Sequence, residues 1–340
     1  MSSDTLSDVL RAVRLTGAVF FDVDARAPWV AEAPAARDVA EHILPGSEHV
    51  IEYHLLTAGR CYATVVGGAS VELNAGDLVI FPQGDAHVMS SAPGMRGVPE
   101  LSAYRRPIGG ALPIRFHEGG GGEASALICG FLGYDARPFN PLLSTLPRTL
   151  VMRHEQLSNR PSSALASVAK LAELAVAESR ARRAGSECML SRLSELLFVE
   201  AIRAHVEMLN PDERGWLGGL RDPHAGKALA LLHGRPAHAW SIEELSNEVG
   251  LSKSLLIERF VHFAGIPPMQ YLAKWRMQLA AERLRATNES LAEIAERVGY
   301  GSESAFSRAF KRMVGVAPAS FRKSPSSLAG GGAASALAIE

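Results

Sequence analysis

Apolar positions change rhythm three times along this chain. In residues 1–17, Leu6, Val9, Leu10 and Val13 recur at helical steps, which predicts a short helix capped by Ser2 or Ser3. From about Gly17 to Phe139 the pattern breaks into short apolar runs: GAVFFDVD, HVIEYHLLTAG, CYATVVGG, ASVELNAGD, LVIFPQGD, AHVMSS and SALICGFLGYD. Gly, Pro, Asn and Asp separate them. Short strands at this density predict an all-β barrel or sandwich, with Gly119 to Gly122 as a flexible loop inside it. Between Ser162 and Asn210 the helical period returns. Leu165, Val168, Ala169, Leu171, Leu174 and Ala175 form one stripe; Leu190, Leu193, Leu196, Leu197 and Val199 to Ile202 form another, with AESRARRAGSE as the break. Those apolar faces need a cover, either a second copy of the chain in a homodimer or the β module itself. From Pro223 to Arg322 the pattern is helical with short turns. The final stretch, SPSSLAGGGAASALAIE, is small-residue low complexity and reads as disordered.

This organisation gives four parts: 1–140, an all-β module; 141–222, a helical linker or dimerisation region; 223–324, an all-α domain; and 325–340, a disordered tail. A chain of 340 residues is long enough for two or three domains. No apolar run approaches the ~20 residues of a membrane helix, and the N-terminus has no signal-peptide layout. Three cysteines, Cys61, Cys129 and Cys188, without a C-x-x-C pair make neither a disulfide framework nor a zinc ribbon. The expectation is a cytoplasmic protein with no membrane partner. From Pro223 onward the chain has 14 basic and 10 acidic residues, and before it 21 and 26. A basic end on an acidic body points toward nucleic acid.

The helical third contains an internal repeat. SIEELSNEVGLSKSLLIERFVHFAG (241–265) and SLAEIAERVGYGSESAFSRAFKRMVG (290–315) share one layout. A capping Ser opens a helix that ends in Val-Gly; a second Ser (Ser252, Ser302) opens another helix that ends at Gly265 or Gly315. Helix, tight turn and second helix make a helix-turn-helix unit, whose second helix enters the major groove of double-stranded DNA. The intervening helical stretch 268–287 would hold the two units at a fixed separation, suited to successive turns of one DNA face.

Residues 223–322 resemble the DNA-binding domain of AraC/XylS-type transcription regulators. Ile294-Ala295, Val298-Gly299-Tyr300, Ser302, Phe306, Arg308, Phe310-Lys311, Gly315, Pro318 and Phe321-Arg322 stand where that family's signature has them. The resemblance implies sequence-specific DNA binding, usually for transcription activation, with RNA polymerase as a further partner. In the first recognition helix the exposed set is Lys253, Ser254, Ile257 and Glu258, with Leu256 and Phe260 in the core. In the second it is Glu303, Ser304, Ser307 and Arg308, with Ala305, Phe306, Ala309 and Phe310 in the core. Arg308 suits a guanine edge, Glu258 could accept from cytosine N4, and Lys311 and Arg312 suit phosphate. Glu258 departs from the Arg or other polar residue the family often has there.

In the β module, GDLVIFPQGDAH places Gly76, Pro82, Gly84 and His87 at the spacing G-x5-P-x-G-x2-H, and six residues separate Glu52 from Gly59. These spacings resemble the two motifs of the cupin barrel, and the whole module is similar to the cupin-type sensor attached to some AraC-type regulators. Gly76-Asp77 reads as a hairpin turn, LVIF as a buried strand, and His87 as pointing inward. Metallo-cupins commonly hold a metal through three His and one Glu. The His-x-His pair that should precede Glu52 is absent, because Pro45/Ser47 or Gly46/Glu48 stand there, so the expectation is no enzyme. Glu52, His54, Cys61, His87 and Cys129 remain candidates for an effector or metal site. Two His and one or two Cys would suit zinc, and a partly exposed low-pKa thiol would suit a redox effector. The alternative is a satisfied core histidine with cysteines that merely pack. The reading is a transcription regulator controlled by a small-molecule, metal or redox effector. The alternatives are a cupin metalloenzyme fused to a DNA-binding domain, and a regulator whose barrel only dimerises.

Overall fold

The structure, a computed structural model, describes residues 4–13, 15–47, 49–105, 112–134, 138–155, 164–181, 183–210 and 213–323. The expected caps Ser2 and Ser3 and the expected disordered tail 325–340 lie outside the described residues. Contacts divide the chain into two compact units. One comprises Leu15–Tyr134 with Leu146–Leu209; the other comprises Met1–Arg14, Asp135–Thr145 and Asn210–Glu340. This division cuts across the boundaries drawn from sequence at 140 and 222: the first helix and residues 135–145 group with the helical domain, and the two helices of the central stretch group with the β module. The polypeptide therefore passes between the units at four points.

Helix α1 (Thr5–Ala12) opens the helical unit and is capped by Asp4, whose side chain accepts the Ser7 N–H at 3.1 Å. The β unit contains β1 (Thr16–Arg26), β2 (Val30–Ala33), α2 (Ala36–Ile43), β3 (His49–Ala58), β4 (Arg60–Val65), β5 (Ser70–Asn74), β6 (Leu78–Phe81), β7 (His87–Ser90), β8 (Ile114–Gly119), β9 (Ala124–Tyr134) and β10 (Leu150–Met152), followed by α3 (Ala164–Ala181) and α4 (Ser186–Met208). Six strands pair in the order β10-β6-β3-β9-β1-β8, and four in the order β2-β7-β4-β5. The strands form two sheets over one apolar core rather than one closed barrel. β1 and β8 run parallel, and the other pairs are antiparallel.

Alternation along β3 assigns its two faces. Val50 and Leu56 join the core with Val79, Phe81, Leu127 and Phe131. Tyr53 points to the other face, where its hydroxyl meets Ser194 Oγ on α4 at 2.6 Å. Close approach of α4 to β1 requires a residue without a side chain: a Cβ at Gly17 would lie 2.4 Å from the Ser191 carbonyl oxygen. Ser191 Oγ donates to the Gly17 carbonyl at 2.6 Å. Of the stripes read from sequence, Leu165, Val168, Leu190, Leu193 and Leu197 are buried where α3 packs on α4 and α4 packs on β1, while Leu174 and Leu196 remain exposed.

Gly76-Asp77 is not a hairpin turn, because β5 and β6 belong to different sheets. It is a crossover, pinned by the Asp77 carboxylate, which accepts the Asn74 N–H at 3.0 Å and the His154 N–H at 2.7 Å. The next crossover uses Gly84 at φ +63°, and so sets β7 opposite β3.

The helical unit continues with α5 (Trp216–Arg221), α6 (Pro223–Gly234), α7 (Ile242–Val249), α8 (Lys253–Ala264), α9 (Pro268–Ala286), α10 (Leu291–Arg297), α11 (Glu303–Val314) and α12 (Pro318–Lys323). The repeat read from sequence is the pair α7–α8 and α10–α11. Ser241 caps α7 through the Glu244 N–H at 3.0 Å, and Ser290 with Glu293 forms a capping box on α10. Gly250 and Gly299 adopt φ of +82° and +81° in the two turns. Nineteen-residue α9 is the shared spine: Met277, Ala280, Ala281 and Leu284 pack with Ile294, Val298, Phe306 and Phe310 of the second unit. Tyr271, Leu272 and Trp275, earlier on the same helix, are buried, as are Leu256 and Phe260 of the first unit.

Candidate effector pocket and nucleic-acid interface

Two regions concentrate chemistry, one in each unit. In the β unit, Glu52 and His54 lie two residues apart on β3, and His87 opens β7. All three are buried, and one ligand atom from each lies within 4.8 Å of the others. His54 Nε2 stands 2.7 Å from His87 Nε2, and Glu52 Oε2 stands 3.6 Å from that same nitrogen. The His87 ring stacks on Phe81 at 3.8 Å. Its Nδ1 faces the Asp85 carbonyl oxygen at 3.0 Å. A carbonyl only accepts, so His87 Nδ1 carries the hydrogen and Nε2 presents a lone pair. His54 Nε2–H then donates to it. Burial pushes Glu52 up to about 8 and His87 down to about 4. His54 is held well below its ordinary value by burial and then by His87. Glu52 Oε1 and His54 Nδ1 are buried without a hydrogen-bond partner among the described residues.

Sequence reasoning paired the two histidines with one or two cysteines. The structure groups them with Glu52 instead; neither Cys61 nor Cys129 is in the three-residue cluster. Cys61 packs in the apolar core, and burial raises its thiol to about 12. Cys129 pairs with His54 across β9 and β3, and burial raises its thiol too. These are the opposite of the partly exposed, low-pKa thiol that a redox sensor uses.

Beside this cluster lies a cavity of about 170 Å³. His54, His87 and Cys129 contribute to its lining, with Phe21, Trp29, Tyr104 and Phe116 as aromatic walls. Motif spacing named His87, and strand alternation from Glu52 named His54. The walls come from β1, β8 and the loops around residues 29 and 104, which carry no motif; only their aromatic character marks them.

In the helical unit, α8 and α11 present the expected faces. Lys253, Ser254, Ile257 and Glu258 are exposed, as are Glu303, Ser304, Arg308, Lys311 and Arg312, while Ser307 is half-buried. Phe306, Ala309 and Phe310 are buried as expected, and Ala305 is half-buried. Lys253 Nζ pairs with Glu243 at 2.9 Å, which reduces its freedom to reach phosphate. Arg308 makes no hydrogen bond or ion pair among the described residues. Leu255 (45% exposed) and Ile257 (37%) put apolar surface on the first recognition helix. Arg259, next to them, turns inward and forks onto Asp222, with Nε at 2.9 and 3.0 Å from the two carboxylate oxygens. Asp222 also caps α6, so this pair fixes α8 against the start of α6.

One polar residue that sequence reasoning missed is Gln278, at 0% exposure on α9. Its Nε2 donates to the Ala12 carbonyl at 3.0 Å, and its Oε1 accepts the Phe139 N–H at 3.0 Å.

Two family profiles match this chain: a cupin family over residues 4–207 and a helix-turn-helix domain over residues 245–324. The chain belongs to the AraC family of DNA-binding transcription regulators and carries an N-terminal cupin domain. It is similar to a putative AraC-like transcription regulator of Streptomyces lividans, 30% identical over 328 residues, covering 95% of this chain and 99% of the relative. It is also similar to the RCS-specific HTH-type transcriptional activator RclR of Escherichia coli, 27% identical over 82% of this chain and 86% of that protein. Among solved structures, the DNA-binding domain of AdpA in complex with a target DNA is 29% identical, covers 30% of this chain and 90% of that one, and has a TM-score of 0.29. No helix among the described residues is long and apolar enough to cross a membrane.

Proposed function

We propose that this regulator activates transcription in the cytoplasm when an effector occupies the cupin cavity, and that the signal reaches the DNA-binding unit through β1 and β9. The observation that carries the reading is the double hydrogen bond of Gln278. Phe21 and Val23 of β1 and Leu127 and Cys129 of β9 line the cavity. β1 is entered directly from α1, and β9 runs directly into residues 135–145. Gln278, on the spine of both helix-turn-helix units, holds the end of α1 through Ala12 and the other segment through Phe139. A shift of either strand on ligand binding thus pulls on a segment bonded to the recognition scaffold. An effector acts by binding one arrangement of that scaffold more tightly than another.

On DNA, Arg308 reads a guanine edge and Ile257 packs on a thymine methyl, while Glu258, Ser254, Glu303, Ser304 and Ser307 complete the base-facing set. Lys311 and Arg312 meet phosphate, and Lys253 joins them on leaving Glu243. The name of RclR as an activator supports the direction of control. RNA polymerase is the implied partner, and exposed Leu174, Met189 and Leu196 on α3 and α4 are the surface on which a homodimer would form. The reading assigns no reaction to the cupin unit, in keeping with relatives named as regulators.

Cupin modules commonly hold a metal, and the residues here fit one. The donor set is two imidazoles and a carboxylate, His87 Nε2 offers a lone pair, and buried Glu52 Oε1 has no partner among the described residues. Glu52, His54 and His87 would hold a divalent ion such as zinc, which would supply a Lewis-acidic centre beside the cavity.

The test is footprinting and in vitro transcription on duplexes selected from a random pool by the full-length protein. Arg308→Ala should need roughly ten- to a hundredfold more protein for the same footprint while its circular dichroism melt is retained. An intact footprint at unchanged protein concentration would refute the assignment of α11 as the base-reading helix.

A further inference from the structure

The cupin cavity has a composition that restricts its ligand. Its volume is about 170 Å³. A protein cavity of roughly 150 Å³ lined by apolar groups takes up a single benzene ring. Phe21 meets Tyr104 at 5.5 Å and Phe116 at 5.2 Å, both edge-on, so the aromatic walls brace one another. Among its described lining residues none is Lys or Arg. The acidic side chains are placed at the mouth: Glu100 and Glu118 are exposed, as is Val98 at 90%. Glu32 is committed to Arg96, at 2.6 and 2.8 Å, and to the Gly97 N–H at 3.0 Å. In the metal-free chain a carboxylate ligand would pass acidic groups to reach a chamber with no side-chain cation to pair it.

Two lining rings carry a buried nitrogen without a partner among the described residues, Trp29 Nε1 and His54 Nδ1. An indole N–H only donates, so its missing partner is an acceptor oxygen. His54 donates from Nε2 to His87, which leaves Nδ1 as an acceptor lacking a donor. A hydroxyl can answer either atom, and a carbonyl can answer the first.

We infer that the effector is an uncharged organic molecule of one-ring size that carries a hydroxyl or carbonyl oxygen. This rests on the reading of the cavity as the effector site. The apolar body fills the space between Phe21, Trp29, Tyr104 and Phe116, and the oxygen takes the Trp29 N–H.

Calorimetric titration of the chelator-treated full-length protein with benzyl alcohol, toluene and benzoate tests the class. Benzyl alcohol should bind at one per chain. Toluene, which lacks the oxygen, should bind roughly three- to tenfold more weakly, the worth of one buried hydrogen bond. Benzoate should give no saturable heat over the same range. Trp29→Phe keeps a ring but removes the donor, and should bring benzyl alcohol down to the level of toluene. Ala103→Trp fills the cavity and should abolish both, with retained operator binding showing that the chain is folded. Benzoate binding as tightly as benzyl alcohol, or benzyl alcohol binding undiminished in Ala103→Trp, would overturn the inference. If benzyl alcohol binds as expected while operator affinity and transcription stay unchanged, the ligand class stands and the effector-sensing reading fails.

Discussion

Gln278 joins α9 to the carbonyl of Ala12 by a 3.0 Å hydrogen bond while its other amide atom holds Phe139. The Gln278 side chain is fully buried, so each bond is expensive for it to leave unmade. Gln278→Leu removes both. It should lower stability by about 1–3 kcal/mol and reduce the effector response several-fold, while basal operator affinity stays within about threefold. Gln278→Glu keeps an acceptor for Phe139 but turns a carboxylate oxygen onto the Ala12 carbonyl, and should lower stability more than Gln278→Leu. Fluorescence anisotropy on a selected duplex, with and without saturating benzyl alcohol, measures the response. An unchanged response in Gln278→Leu would remove this residue from the coupling route.

Arg308 and Lys311 should separate specificity from affinity. Arg308→Ala should relax preference at one base pair, worth about 1–3 kcal/mol, whereas Lys311→Ala should weaken all sequences alike and lower the salt slope by about 1. Competition titrations against single-base variants over a range of salt concentrations distinguish the two patterns.

The Glu52 cluster makes a paired expectation. Elemental mass spectrometry of untagged protein purified under reducing conditions should find about one transition-metal ion per chain, lost in His87→Ala and Glu52→Gln. In chelator-treated protein, Glu52 titrates near 8 when folded and near 4.5 when unfolded. The folded state therefore binds the extra proton between those values, and the contribution of Glu52 to stability falls as pH rises across that window. Glu52→Gln should flatten this slope, as measured by urea unfolding between pH 5 and 8.5.

His233 gives a slope of opposite sign. It is buried beside Trp275, its Nε2 accepts from the Tyr271 hydroxyl at 2.8 Å, and burial lowers its pKa to about 3. Below its ordinary value of 6.5 the unfolded chain takes up a proton that the folded chain refuses, so stability is lost as pH falls. The loss should reach about 2 kcal/mol by pH 5, and His233→Gln should remove most of it. Urea melts followed by the fluorescence of the four tryptophans check this.

The helical unit was legible because its signals are local. Ser241, Ser252, Ser290 and Ser302 cap the helices that their positions announce, and Gly250 and Gly299 take the left-handed turns. In the β unit, Glu52, His54 and His87 could be named from motif spacing and strand alternation. β2, β8, β10 and α2 were missed because each is only three to eight residues long and takes its place from pairing or packing rather than from its own period. The role of Gly76 was misread because a crossover between sheets and a hairpin use the same residues. The bonds of Gln278 reach Phe139 and Ala12, residues remote in sequence, and no pattern around position 278 marks it.

The most direct test of the account is run-off transcription with purified RNA polymerase on a selected operator, titrated with benzyl alcohol. The account expects transcript to rise with occupancy of the cavity in the wild-type protein and to stay flat in Ala103→Trp. Equal transcript at every concentration, with the cavity shown by calorimetry to be filled, would contradict it.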